Sequence, residues 1–125
     1  MIQKADAVPA TTSSGRYHPT LADLRNRRVS GVYAIFDARS GACAYVGESH
    51  TGRLYETITR HFRRWRIDPK NDASGRRRGG TTYDRHSVFV AWFECRDGEA
   101  VSLQFAEIER LGPLDNTQTG VSLPV

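Results

Sequence analysis

Residues Gly31 to Gly47 read GVYAIFDARSGACAYVG, and the most informative pattern in the chain lies here. Both of its ends are rich in Val, Tyr, Ile and Phe, side chains that favour β-strands. An Arg-Ser-Gly sequence between them is typical of a turn, so the pattern predicts a β-hairpin. If this hairpin is symmetric about Arg39, Tyr33 pairs directly with Tyr45. The two phenol rings then lie on one face of the sheet.

Residues 53–66 predict an amphipathic helix that follows the hairpin. Apolar side chains recur there at intervals of three or four and gather on one side of the helix: Leu54, Ile58, Phe62 and Trp65. Arginines form the next stripe around the helix, and His61 lies at the border between this stripe and the apolar side. We therefore expect His61 to be half buried where the helix meets the sheet.

The rest of the chain supplies one more strand and one more helix. Residues 88–93 are continuously apolar, which predicts a central strand covered on both faces. Residues 99–111 predict a second helix, which Gly112 and Pro113 end. The element order is β-β-α-β-α. The predicted class is therefore α/β, in the α+β sense, with a small three-stranded sheet flanked by helices.

Length and composition set the domain organisation. The chain has 125 residues, which predicts one domain with a modest core. Residues 1–20 show little periodicity and are expected to be a flexible N-terminal arm, followed by a single domain over 21–125. No run approaches the ~20 apolar residues of a membrane span, so we expect no membrane partner and a cytoplasmic location. Cys43 and Cys95 fit no metal-binding spacing and are expected to be reduced thiols.

Positive charge is concentrated in residues 60–86. This segment carries nine Lys and Arg against three Asp, a net charge of +6, whereas the whole chain carries +4. Such a run is often only a solvated face, but here it includes a helix face and the flexible basic loop 67–86, which favours a phosphate backbone as partner. The candidate nucleic-acid-binding residues are Arg63, Arg64, Arg66, Arg76, Arg77, Arg78 and Arg85.

The tripeptides Gly31-Val32-Tyr33 and Tyr45-Val46-Gly47 resemble the two signature tripeptides of the GIY-YIG nuclease family. The resemblance spans about residues 30–116. It implies a GIY-YIG-like fold with a small mixed sheet, and hydrolysis of DNA phosphodiester bonds. It also implies a divalent metal, Mg²⁺ or Mn²⁺, with no small-molecule cofactor.

By this resemblance Tyr33 belongs to the nucleophile side, as general base or as its relay, and Tyr45 hydrogen-bonds water or phosphate. A phenol has a pKa near ~10, so Tyr33 can act as a base near neutral pH only with cations close by. The family commonly places an arginine ten residues after the second tyrosine, and this chain departs from that pattern. Arg53 or Arg60 is expected to take that position, with Arg53 favoured, and His61 is expected to assist.

Gln104 occupies the position of the family's metal-binding glutamate. A glutamine offers a carbonyl oxygen to a hard cation but no negative charge, which weakens a Mg²⁺ site. Glu107, one helical turn further on, is the alternative carboxylate. Asn116 matches the family's terminal asparagine, a residue type that is also common in turns.

Two functions are therefore expected, and they differ in turnover. The first is a metal-dependent endonuclease acting on DNA. The alternative is a catalytically weakened or inactive DNA-binding module of the same fold, and a small unrelated RNA-binding domain is a third possibility. No second domain for base recognition is predicted, so target choice is expected to be weak, structure-directed or dependent on another protein.

Overall fold

The computed structural model describes residues 1–63 and 82–116. Its main elements follow in chain order: β1 (Val8–Pro9), α1 (Pro19–Asp23), β2 (Ser30–Asp37), β3 (Cys43–Ser49), α2 (Leu54–Arg60), β4 (Val88–Cys95) and α3 (Ala100–Leu111). Within these ranges the sheet has four strands in the order β1-β4-β2-β3, and every pairing is antiparallel. The α+β class is confirmed. The expected three-stranded mixed sheet is wrong in both strand number and strand direction.

The N-terminal segment belongs to this fold, which corrects the expected flexible arm. Val8 pairs with Val90 of β4, so β1 covers an edge of the sheet. Ile2 and Ala10 are fully buried among core side chains. The segment is therefore held by apolar burial and by strand pairing, although its composition resembles that of a loop.

The β2–β3 hairpin has a different register from the predicted one. Tyr33 lies opposite Gly47, and Tyr45 lies opposite Ile35, because the pairing shifts between Ile35 and Phe36. The predicted direct pairing of the two tyrosines is wrong. Tyr45 nevertheless stands opposite a residue two positions from Tyr33, so both rings remain on the same face of the sheet.

The sheet carries a separate hydrophobic core on each face. The core beneath α1 and α2, on what we name the α2 face, includes Leu21, Leu24, Tyr33, Ile35, Leu54 and Ile58. The core beneath α3, on what we name the α3 face, includes Ile2, Val32, Ala34, Val46, Leu103 and Ile108. Residues on one strand alternate between these cores, as the pleat of a strand requires.

Two glycines fix the position of the helices. A Cβ at Gly31 would overlap the backbone carbonyl of Phe93 and meet Leu54 of α2 at 3.1 Å, so a side chain there would disturb both the ladder and the helix. Gly112 ends α3 in the left-handed conformation at φ 59°, as predicted for the helix stop. The first predicted helix is shorter than expected in its described part, since α2 ends at Arg60 and His61 lies in a turn.

Within residues 1–63 and 82–116, none of the helices combines the length and apolar character required to cross a membrane. Both cysteines are free thiols, and burial raises the pKa of Cys43 to about 11.

Candidate active site

A buried hydrogen bond between Tyr33 and His61 lies at the centre of the α2 face. The Tyr33 hydroxyl is 2.7 Å from Nε2 of His61, and both residues are almost fully buried. β2 supplies the tyrosine and the turn after α2 supplies the histidine. Two groups that can exchange a proton are thus held at hydrogen-bond distance inside the protein.

Gly47 makes room for the Tyr33 ring. Any Cβ at Gly47 would overlap the hydroxyl and the adjoining ring carbons of Tyr33. Glycine is therefore required for steric reasons at the end of the Tyr45-Val46-Gly47 tripeptide, because Tyr33 lies flat against the opposite strand at this point. Of the two tripeptide glycines, Gly31 leaves room for the backbone carbonyl of Phe93, and Gly47 leaves room for the phenol of Tyr33.

Two further tyrosines surround the imidazole of His61. The ring of Tyr45 is 4.6 Å from that of His61 and 6.2 Å from that of Tyr33, measured between centroids. The ring of Tyr83 lies 5.9 Å from that of His61 on another side. We name Tyr33, Tyr45, His61 and Tyr83 the aromatic cluster. The structure brings Tyr33, Tyr45 and His61 together.

The electrostatic surroundings keep the Tyr33 phenol protonated. Burial raises its pKa well above the ordinary value of 10, the neighbouring Tyr45 raises it further, and the positive charge of Arg60 lowers it only in part. The pKa of Tyr45 is also raised, first by burial and then by the negative charge of Glu48. A phenolate at Tyr33 is therefore disfavoured at neutral pH, which argues against its role as the general base and leaves the role of a relay.

The structure separates the two candidate arginines. Arg60 is the residue before His61, and its charge acts on the pKa of Tyr33. Arg53 lies at the other end of α2 and lines a pocket with Arg25, Arg27 and Arg28. The effect of the Arg60 charge on the Tyr33 pKa favours Arg60 as the arginine near the aromatic cluster, contrary to the sequence-based preference for Arg53.

Asn116 has a different position from the one expected for a catalytic group. Its Nδ2 donates to the carbonyl of Val46 at 2.8 Å, and its Oδ1 accepts from the amide of Val46 at 2.9 Å. The side chain thus imitates a neighbouring strand along β3. Both ends of the amide are committed to the backbone, so Asn116 positions β3.

Glu107 lies on the α3 face and has structural partners. Its Oε1 accepts from the amide of Ile2 at 3.1 Å and from Arg110 at 2.5 Å. The same guanidinium also donates to the carbonyl of Ile2. Glu107 is only 4% exposed, so its carboxylate joins the N-terminus to α3.

These positions do not fit a metal site built by Glu107 and Gln104. Glu107 would have to leave the amide of Ile2 and the guanidinium of Arg110, and Gln104 brings no negative charge. Among residues 1–63 and 82–116, no group of three or more His, Cys, Asp or Glu side chains is placed to hold a metal ion.

The predicted nucleic-acid-binding arginines are only partly visible in the described ranges. Arg63 is exposed two residues after His61. The guanidinium of Arg85 lies 5.3 Å above the ring of Tyr17, a cation–π contact. The other five lie outside the described residues: Arg64, Arg66, Arg76, Arg77 and Arg78.

Sequence reasoning missed three residues at the site. Tyr83 donates its hydroxyl hydrogen bond to Asp115 at 2.7 Å, and its amide donates to the carbonyl of His61 at the same distance. Glu48 is the carboxylate whose charge acts on the pKa of both Tyr33 and Tyr45. The position of Glu48 directly after the second tripeptide was the available signal, whereas Tyr83 and Asp115 reach the site only through the fold.

Searches against protein-family models, curated proteins and solved structures each returned no match for this chain.

Proposed function

We propose that this chain is a GIY-YIG-type endonuclease that hydrolyses phosphodiester bonds of DNA. The observation that supports this most directly is the 2.7 Å contact between the Tyr33 hydroxyl and Nε2 of His61. Hydrolysis needs a group that removes a proton from water and a positive charge beside the phosphate oxygens. His61 and Arg60 are candidates for these two needs, one residue apart.

In the proposed reaction His61 is the general base and Tyr33 is its relay. The attacking water gives a proton to the Tyr33 oxygen while the Tyr33 hydroxyl gives its own proton to Nε2 of His61. The water oxygen bonds to phosphorus, the bond to the leaving sugar oxygen breaks, and that oxygen takes a proton from solvent. The imidazolium later releases its own proton to solvent. Tyr33 never becomes a phenolate, which agrees with its raised pKa.

Arg60 and Tyr45 are assigned to the phosphate. A guanidinium presents a fork of N–H donors that matches two phosphate oxygens. Tyr45 is only partly buried, and its tilted ring lies 4.6 Å from that of His61, so its hydroxyl is suited to bind water or phosphate. No step is assigned to a metal ion, because Glu107 and Gln104 do not form a site for one.

The second candidate function is a DNA-binding module without turnover. The hydrogen bonds of Glu107 to Ile2 and Arg110 favour the binding module. Through them, the α3 carboxylate that the sequence offered as a metal ligand is already satisfied within the fold. The neutral Gln104 at the family's glutamate position favours it as well. The basic segment 60–86 serves either function.

Nicking of supercoiled plasmid separates the two functions. We expect open-circular product when Mg²⁺ or Mn²⁺ is present, and a parallel reaction in EDTA tests the metal requirement that the family resemblance implies. Product in EDTA would contradict the predicted metal requirement. Absence of product at high protein concentration, with the plasmid shown to be bound, would reject the hydrolase and favour the binding module.

A further inference from the structure

Four arginines line a pocket at the beginning of α2. Arg25, Arg27, Arg28 and Arg53 border a cavity of about 390 Å³, together with the single carboxylate Glu56. Cavities of about 300–1,000 Å³ are the usual size of small-molecule sites. No member of the aromatic cluster lines this cavity, so we name it the arginine pocket and treat it separately.

Among the residues that the structure describes, three of these four guanidinium groups are in no ion pair. Arg27 forms ion pairs with Glu94 at 2.5 Å and with Asp23 at 3.8 Å. Arg25, Arg28 and Arg53 form no salt bridge with any carboxylate in residues 1–63 and 82–116. Like charges held close together repel one another, and a bound anion would relieve this repulsion.

Backbone hydrogen bonds hold the two walls of the arginine pocket together. The amide of Gly52 donates to Oγ of Ser30 at 2.9 Å, and the amide of Leu54 donates to the carbonyl of Val29 at 3.1 Å. The segment that carries Arg53 is thus joined to the segment that carries Arg28. Gly52 has φ +75°, a conformation that favours glycine and brings the chain against Arg28. The backbone segments that carry the arginines are therefore held in place before an anion binds, which reduces the entropy lost on binding.

We propose that the arginine pocket binds one phosphate group of a nucleic-acid strand, away from the bond that is cut. This inference rests on the proposed function, which supplies the nucleic acid. Arginine forks recognise phosphate oxygens in pairs, and the mostly charged lining suits an anion better than an apolar ligand. Arg53 and His61 are eight residues apart, about 12 Å at the helical rise per residue. The pocket therefore lies at the opposite end of α2 from His61, so the phosphate that it binds is not the one at the aromatic cluster.

Salt-dependent DNA binding tests the arginine pocket. The double variant Arg25→Gln/Arg28→Gln is compared with wild type by fluorescence anisotropy on a labelled duplex over a range of salt concentrations. We expect affinity to fall about 10-fold and the salt slope to decrease by about 0.9, the value for one lost phosphate contact. Circular dichroism checks that the variant is folded.

The matched control is Arg16→Gln/Arg39→Gln, which removes two exposed arginines outside the pocket. We expect its affinity to change by less than about twofold, because those residues would not contact a bound phosphate. An equal loss in both double variants would attribute binding to overall charge and overturn the proposal. Unchanged affinity and slope in the pocket variant would overturn it as well.

Inorganic phosphate identifies the source of the anion. If phosphate stabilises wild type against heat but not the pocket variant, while duplex affinity is the same in both, the occupant is free phosphate and the nucleic-acid source is rejected. Plasmid nicking by wild type keeps the two proposals separate. Weakened duplex binding in the pocket variant supports the phosphate-binding role of the pocket, even if the wild-type protein does not nick plasmid. Unaltered duplex binding in the pocket variant rejects that role, even if the wild-type protein does nick plasmid.

Discussion

The two faces of the sheet use their buried polar side chains in opposite ways. On the α3 face, Glu107 bonds the backbone of Ile2 and the guanidinium of Arg110. On the α2 face, Tyr33 bonds the side chain of His61, and Tyr45 lies against the same imidazole. Polar groups committed to backbone partners hold a structure together, whereas proton-exchanging side chains placed against one another suit chemistry. The comparison therefore indicates that Glu107 stabilises the fold, and it supports the proposed role of His61 in the reaction.

The largest expected effect is on the α2 face. His61→Gln removes the proposed proton acceptor, and we expect plasmid nicking to fall about 10²–10⁴-fold, the usual range for a general base. DNA affinity should be retained, since the basic segment is unaltered. The control is His86→Gln, which changes an exposed histidine that contacts Thr11. Equal nicking rates for wild type and His61→Gln would remove the imidazole from the reaction.

The next effect belongs to the α3 face. Glu107→Ala leaves the amide of Ile2 and the guanidinium of Arg110 without their acceptor, and we expect the free energy of unfolding to fall by about 3 kcal/mol. Nicking per folded molecule should not change. Urea unfolding measures the first quantity, and Glu109→Ala, an exposed position on the same helix, is the matched control. A stable Glu107→Ala protein that cannot cut DNA would instead restore Glu107 as a metal ligand.

The sequence predicted the α2 face better than the α3 face. Strand-forming residues in β2 and β3 and the apolar stripe of α2 are local signals, and they suffice to bring Tyr33, Tyr45 and His61 together. This arrangement survived the error in register because a displacement of two residues leaves Tyr45 on the same face of the sheet as Tyr33. In the observed register Gly47 faces Tyr33, where only glycine leaves room for the phenol.

The register of the β2–β3 hairpin depends on hydrogen bonds in its turn. The carboxylate of Asp37 accepts from the amide of Ser40 at 2.8 Å, and Gly41 adopts φ 75°, so the turn pairs Phe36 with Cys43. The shift beside Phe36 then displaces the pairing by one further residue. Residue types alone place a turn here but do not fix how many residues it contains.

The polar contacts on the α3 face join residues that are distant in sequence. Glu107 bonds Ile2 across 105 positions, and Asn116 bonds Val46 across 70. Neither partner is a side chain with a recognisable pattern, because both donate through backbone amides. Helical projection placed Glu107 near the buried arc correctly, but it could not show that the N-terminus would occupy the carboxylate.

A smaller effect is expected from Gly47→Ala, which probes the support of the α2 face. The added methyl group would displace the Tyr33 ring, and we expect a loss of about 2 kcal/mol in stability, typical of overpacking. Gly98→Ala is the matched control, because a Cβ at Gly98 meets nothing within 4 Å. Thermal and urea unfolding compare the two variants. Equal stability of both would show that Tyr33 can move aside, and that the close approach does not hold it in place.

The smallest effect concerns the proton on Tyr33. Burial raises the pKa of the Tyr33 phenol. Below about pH 10 the phenol keeps its proton in both the folded and the unfolded chain, so its contribution to the stability of the fold is fully present. Above that pH the unfolded chain loses the proton first, and stability falls as pH rises towards the higher pKa of the folded state. Tyr33→Phe is expected to cost about 1 kcal/mol at pH 7, through the lost hydrogen bond to His61. Its stability should then decline less steeply than that of wild type in alkaline solution.

Urea unfolding between pH 7 and 11 measures both parts of this prediction. Other groups titrate in the same range, including Cys43 with its pKa of about 11, so the difference between the two proteins isolates Tyr33. Curves that stay parallel up to pH 11 would mean that the phenol has its ordinary pKa in the folded protein. The relay through His61 would then lose the support that a raised Tyr33 pKa gives it.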